Sequence, residues 1–131
     1  MKTRLLTIAL ASVAIALAAP LPATAKDDDH AHGAEHGGQF VELDDHHGVE
    51  MVAGDTSLMF HLTDDHKLMN LTGGSFKAIV QTDAGTKMLP LAIDGSALKT
   101  ALDRALPAGA KIVITGKDAE GHTIQARFVK K

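Results

Sequence analysis

The chain has 131 residues, with 13 basic side chains, 16 acidic side chains, a formal net charge of −3 and no cysteine. Its length fits one modest domain. The missing thiols exclude disulfide bridges, thiolate metal sites and a lipid-modified cysteine.

Residues 1–25 have the pattern of a secretory signal peptide. Two basic residues give a positive start, an uncharged apolar run follows over 5–19, and Ala23 and Ala25 fit the small positions of a cleavage site. The apolar run is shorter than the roughly 20 residues that a membrane anchor needs. The sequence therefore predicts cleavage before Lys26, a periplasmic location and no membrane span in the mature chain.

Charge is distributed unevenly over the remaining 106 residues. Residues 26–66 contain eleven acids, a single base and seven of the eight histidines, whereas 67–131 contain ten bases and five acids. An acidic half that is rich in imidazole suits cations and repels phosphate. We therefore expect metal ions as ligands and no nucleic acid as a partner.

Residues 26–38 are polar and glycine-rich and have no apolar period, which predicts a flexible tail. Imidazoles and carboxylates are ligands for zinc, copper and nickel, so the tail is a candidate metal site through His30, His32 and His36. The alternative is a solvated linker without a ligand. The tail also matches H-x-x-E-H, but its glycines do not support the helix that this peptidase motif needs, and we predict no enzyme.

From residue 39 onwards, short stretches alternate apolar and polar residues, which is the period of half-buried strands. Residues 39–131 are therefore predicted to form an all-β domain, a small β-sandwich or partly open barrel of about seven short strands. Pro90 marks its strand, 87–93, as an edge or bulged strand. Leucines spaced by four predict one short helix over 97–105. The strands are expected at 40–43, 47–52, 57–62, 68–71, 76–82, 87–93, 111–115 and 123–129.

A second candidate metal site lies within this domain. His46 and His47 adjoin the start of a strand, and Met59 and His61 share one face of the next strand because they are two residues apart. A hairpin would bring His66 and Met69 towards them. Thioether with imidazole is a copper preference, above all for Cu(I). The alternative is surface histidines and core methionines. The candidate ligands of this domain are His46, His47, Met59, His61, His66 and Met69.

Several short motifs resemble a small periplasmic β-domain that accompanies heavy-metal efflux systems of the resistance-nodulation-division type. Such domains stand alone or form N-terminal segments of membrane-fusion adaptor subunits. The resemblance covers most of 36–129 and implies an all-β domain, a periplasmic address, a role near copper, zinc, cobalt or nickel, and an efflux-system subunit as a partner. The motifs are His36-Gly37-Gly38-Gln39, Glu42-Leu43, His46-His47, Val49-Glu50-Met51-Val52, Phe60-His61-Leu62-Thr63-Asp64-Asp65 and Ala126-Arg127-Phe128.

The sequence thus predicts an exported, non-catalytic protein that buffers or delivers a transition-metal ion in metal resistance or efflux. The alternative is an interaction module that docks on a transport complex by adding a strand at its sheet edge, with the histidines incidental.

Overall fold

The computed structural model describes residues 33–131, and the predicted signal peptide and residues 26–32 lie outside the described residues. The described chain is all-β, as predicted, with nine strands in place of about seven. None of its segments forms a helix able to span a membrane. The strands are β1 Gln39–Glu42, β2 His47–Ala53, β3 Ser57–Asp64, β4 Lys67–Leu68, β5 Ser75–Thr82, β6 Gly85–Asp94, β7 Ala97–Ala101, β8 Lys111–Lys117 and β9 Thr123–Val129.

The strands form because their apolar residues alternate and one face of each can be buried. In β3, Leu58, Phe60 and Leu62 are at most 1% exposed, while the residues between them point outwards. β5, β8 and β9 show the same alternation. One core results, in which Phe60 and Phe128 from distant strands approach with ring centroids 6.0 Å apart.

The strand order is β1-β2-β3-β7-β6-β5-β8-β9, with β4 paired to the end of β3. All pairs are antiparallel, and β6 pairs with β5 over its first part and with β7 through residues 92–94. The terminal strands β1 and β9 lie close together. The sheet is therefore a nearly closed, barrel-like structure with the core inside.

Pro90 lies in the part of β6 that pairs with β5 alone. The strand is a local edge there, as the sequence predicted, because proline cannot donate to a second ladder.

The predicted helix over 97–105 is wrong. Residues 97–101 form β7, which pairs with β3 on one side and β6 on the other, and the chain beyond it is irregular as far as Ala110. Leu98, Leu102 and Leu106 all contact the core, but Leu98 does so from a strand. Pairing on both sides of β7 outweighs the weak helical preference of this segment.

Candidate functional site

Glu50 is the only buried charged residue in 33–131. It occupies an outward position of β2, between the core residues Val49 and Met51, yet it is only 4% exposed. Its carboxylate accepts hydrogen bonds from the backbone N–H groups of Glu35 at 3.0 Å, His36 at 2.8 Å and Gly38 at 2.9 Å. The segment before β1 therefore covers the carboxylate and supplies the partners that make its burial tolerable.

This covering segment, residues 33–38, belongs to the stretch that the sequence predicts as a flexible tail. In the structure the segment lies against the outer face of β2. A side chain at position 38 would overlap the backbone carbonyl of Met51, and one at position 48 would overlap the ring of Phe40. Gly38 thus permits the close approach that brings the segment onto the sheet, and Gly48 makes room for the Phe40 ring of β1 beside it.

His36 and His61 meet above this carboxylate. The His36 Nδ1 atom lies 2.8 Å from Glu50 Oε2, and its ring stacks on that of His61 with centroids 3.7 Å apart and planes within 6°. His61 is there because it is the cross-strand partner of Glu50 in the β2–β3 register. Burial, followed by the nearby His36, lowers the pKa of His61 despite the opposing charge of Glu50. The His61 imidazole is therefore neutral at pH 7 and has a lone pair to donate.

The pKa of Glu50 reflects two opposing influences. Burial is the largest single influence and raises the pKa. The hydrogen bonds from the His36 side chain and from the amides of Gly38, His36 and Glu35 together lower it by more, so the pKa lies below the ordinary value. Glu50 is ionised at neutral pH. It therefore favours the form of His36 that carries a proton on Nδ1, which leaves Nε2 as the free ring nitrogen when the ring is neutral.

The two turns beside this face form a second group of histidines and acids. His46 Nδ1 lies 2.6 Å from Asp65 Oδ1, and His47 Nδ1 lies 2.9 Å from Asp44 Oδ2. The hydrogen bond to Asp65 raises the pKa of His46. Amides of His46 and His47 lower the pKa of Asp44 to about 2. The His46–Asp65 pair thus joins the β1–β2 turn to the β3–β4 turn.

His66 connects the turns to the sheet face. Asp65 and His66 both have positive φ, 46° and 65°, so the β3–β4 hairpin has two central residues in the left-handed region. His66 lines a cavity of about 30 Å³ together with His36, Glu50 and His61. That volume accommodates one or two water-sized groups.

The predicted ligands divide into five sets. His36, His61 and His66 line one cavity, while His46 lies in the adjoining β1–β2 turn and His47 begins β2. Met59 lies on the outward face of β3, two residues from His61. Met69 packs against the core, and its backbone N–H donates to the Leu62 carbonyl. His30 and His32 lie outside the described residues.

Sequence reasoning missed two features. Glu50 gave no signal, because an acid in an alternating strand is typical of a solvated face. The second is the β8–β9 turn, where the ligand atoms of Asp118, Glu120 and His122 come within 4.8 Å of one another. The Asp118 carboxylate already accepts hydrogen bonds from the amides of Glu120 and His122, so the turn's own geometry accounts for this cluster.

Four of the histidines, His36, His46, His47 and His122, have a carboxylate at Nδ1. This arrangement fixes the tautomer, orients the ring and makes Nε2 a better donor, as the outer-shell partners of metal-binding histidines do. The resemblance to efflux-associated domains rests on the sequence motifs alone. No family model, no curated protein and no solved structure matches the chain.

Proposed function

We propose that this chain is an exported, non-catalytic protein that binds a transition-metal ion and buffers or delivers it in metal resistance or efflux. The observation that supports this best is the repeated pairing of a histidine Nδ1 with a carboxylate in the acidic half. The pairs are His36 with Glu50, His46 with Asp65, and His47 with Asp44. Each leaves Nε2 as the ring nitrogen for a ligand.

The cavity beside β3 is the proposed centre of the site. It gathers three imidazoles, from the segment before β1, from β3 and from the β3–β4 turn. An imidazole lone pair lies in the plane of its ring, and the stacked His36 and His61 rings lie in two separate, parallel planes. The two rings therefore cannot both bind one ion unless one of them rotates. The ion would therefore separate the two rings, while Glu50 keeps its hydrogen bonds to the backbone.

The donor types favour Zn(II), Cu(II) and Ni(II), because imidazole suits all three and carboxylates complete the shell. Cobalt belongs to the same group of borderline ions. Met59 adds a thioether on the same face as His61, which favours Cu(I) if its side chain reaches the ion. The predicted tail residues His30 and His32 would add ligands from the chain that precedes the cavity, and an efflux-system subunit would receive the ion.

The test is calorimetric titration of the mature chain, purified without a His tag, with Zn(II) and Cu(II). Replacing His36 and His61 together with alanine should weaken binding at least tenfold, since outer-shell changes alone cost about 10- to 100-fold. His122→Ala is the matched control, because this histidine is exposed and also pairs with a carboxylate. Equal affinity in all three proteins would contradict the proposed centre.

Tail and cavity are separated by a second variant in which only His30 and His32 are alanine, because His36 also lines the cavity. If the tail supplies most of the ligands, this variant should lose Zn(II) and Ni(II) while His61→Ala retains them. Binding should also weaken between roughly pH 7 and pH 5, because protons compete for imidazole. No binding by the wild type in any condition would refute the proposed function.

A further inference from the structure

The outward face of β5, β8, β9 and the first part of β6 carries basic side chains and no acidic ones. Lys77, Lys111, Lys117 and Arg127 all occupy exposed outward positions of these strands, since the residues next to them in sequence are core residues or partly buried ones. Within residues 33–131 none of the four side chains has a hydrogen-bond or ion-pair partner, whereas those of Lys87 and Lys99 pair with Asp103 and Asp94. We call this surface the basic face.

The centre of the basic face is apolar. Met88, Ile79 and Val113 are direct cross-strand neighbours on β6, β5 and β8, and Arg127 continues the row on β9. Met88 is 62% exposed and lies where β6 pairs with β5 alone. An apolar centre with a charged rim is the usual anatomy of a protein interface.

The complement of this surface lies on the same molecule. The β1–β2 and β3–β4 turns expose Asp44, Asp45, Asp64 and Asp65, with side chains of three of them 53% to 70% exposed. Next to them Leu68 is 49% exposed, and it is one of only three exposed large hydrophobics in the described chain. We call these five residues the acidic corner. The other two exposed hydrophobics, Met88 and Val129, both lie on the basic face.

We propose that the basic face of one molecule binds the acidic corner of a second copy, with Leu68 against Met88 and Ile79. The two surfaces lie on different parts of the fold, so the contact is heterologous and repeats from copy to copy into a chain or ring. Strand spacings give the basic face roughly 300 Å² between its outer Cβ positions. Such a contact falls below the about 1,200 Å² of total buried area typical of stable complexes, so association is weak and depends on concentration.

The experiment is sedimentation velocity of the mature chain over a hundredfold range of concentration, with chelator present to remove metal cross-links. It is run at about 0.01 M and about 1 M salt, where the screening length is about 30 Å and about 3 Å. We expect the mass to rise past that of a dimer at low salt and to return to that of the monomer at high salt. A monomer at every concentration in low salt would overturn the proposal.

Two charge-reversed variants make the test specific. The first variant, Lys77→Glu with Arg127→Glu, disables the basic face. The second, Asp45→Lys with Asp64→Lys, disables the acidic corner. It leaves Asp44 and Asp65 in place, because these two acids form the short hydrogen bonds to His47 and His46. Each variant alone should stay monomeric. Their equimolar mixture should form a dimer and nothing larger, because one intact face meets one intact corner.

The control is Lys99→Glu with Arg104→Glu, the same charge change away from the basic face, which should associate like the wild type. Circular dichroism checks each fold, and Lys77→Gln with Arg127→Gln replaces a variant that does not fold. A mixture that stays monomeric would refute the head-to-tail contact. Binding of the monomer to phosphatidylglycerol vesicles without self-association would assign the basic face to a lipid surface and also overturn the proposal.

Discussion

The carboxylate of Glu50 is buried on the outside of the sheet because three amides and one imidazole compensate its charge. Glu50→Ala should free the segment 33–38, with a loss of about 1–3 kcal/mol in unfolding free energy, since hydrogen bonds to a charged group are at stake. Hydrogen exchange should show faster exchange at the amides of His36 and Gly38. Glu42→Ala, at an exposed position of β1, is the control, and unchanged protection in Glu50→Ala would contradict this account.

The same carboxylate has a predictable pH dependence. Its pKa is below 4.5 in the folded protein, so its contribution is present above pH 4.5 and is lost as the pH falls through the lower folded-state value. Detachment of the segment in acid should therefore begin only below pH 4.5. In Glu50→Gln this acid transition should be absent.

Two histidines of the site should have pKa values on opposite sides of 6.5, the ordinary value for histidine. Burial lowers the pKa of His61, and the bond to Asp65 raises that of His46. Imidazole NMR signals followed against pH should separate the two. Asp65→Asn should lower the pKa of His46 towards 6.5 and leave the pKa of His61 unchanged. His36→Ala should raise the pKa of His61. Coincident titration in the wild type would disprove the assignment.

Among the elements, the β3–β4 turn carries the clearest strain. Both of its central residues have positive φ without being glycine, and each such residue costs about 1–2 kcal/mol in the left-handed region, less for aspartate. Strain of this kind accumulates at functional positions. His66→Gly should therefore raise the unfolding free energy by about 1 kcal/mol while weakening metal binding, as thermal unfolding and titration would show. His66→Ala should weaken binding without the gain, and a less stable glycine variant would argue against strain.

The elements also show where sequence reasoning succeeds and where it stops. Alternation with turn residues predicted most strands to within a few residues, because burial of one face is a local property of the sequence. β7 is predicted as a helix instead, because its leucine fits a helical spacing with those that follow and because its pairing with β3 and β6 is a long-range property. The sequence predicts His36 and His61 as metal ligands. Their contact above Glu50, however, depends on a segment whose polar composition predicts no contact with the sheet.

At the scale of the whole molecule, the core and the histidine site are separate. The most buried residues line the inside of the barrel-like sheet, whereas His36, His61 and His66 lie on its outside. Folding should therefore not need metal. Chelation should leave the far-UV β spectrum and cooperative unfolding intact, and a chelated chain without a cooperative transition would show instead that the metal is structural.

Strand β6 belongs to both halves of the sheet, since it pairs with β5 through residues 85–91 and with β7 through 92–94. If either half unfolds, the other loses part of its pairing, because β6 is one continuous strand whose partner changes between Leu91 and Ala92. We therefore expect a single calorimetric transition whose enthalpy equals the van't Hoff value. Neither half of the sheet should therefore remain folded alone. Heat, acid or a protease that unfolds one half should unfold the other in the same step.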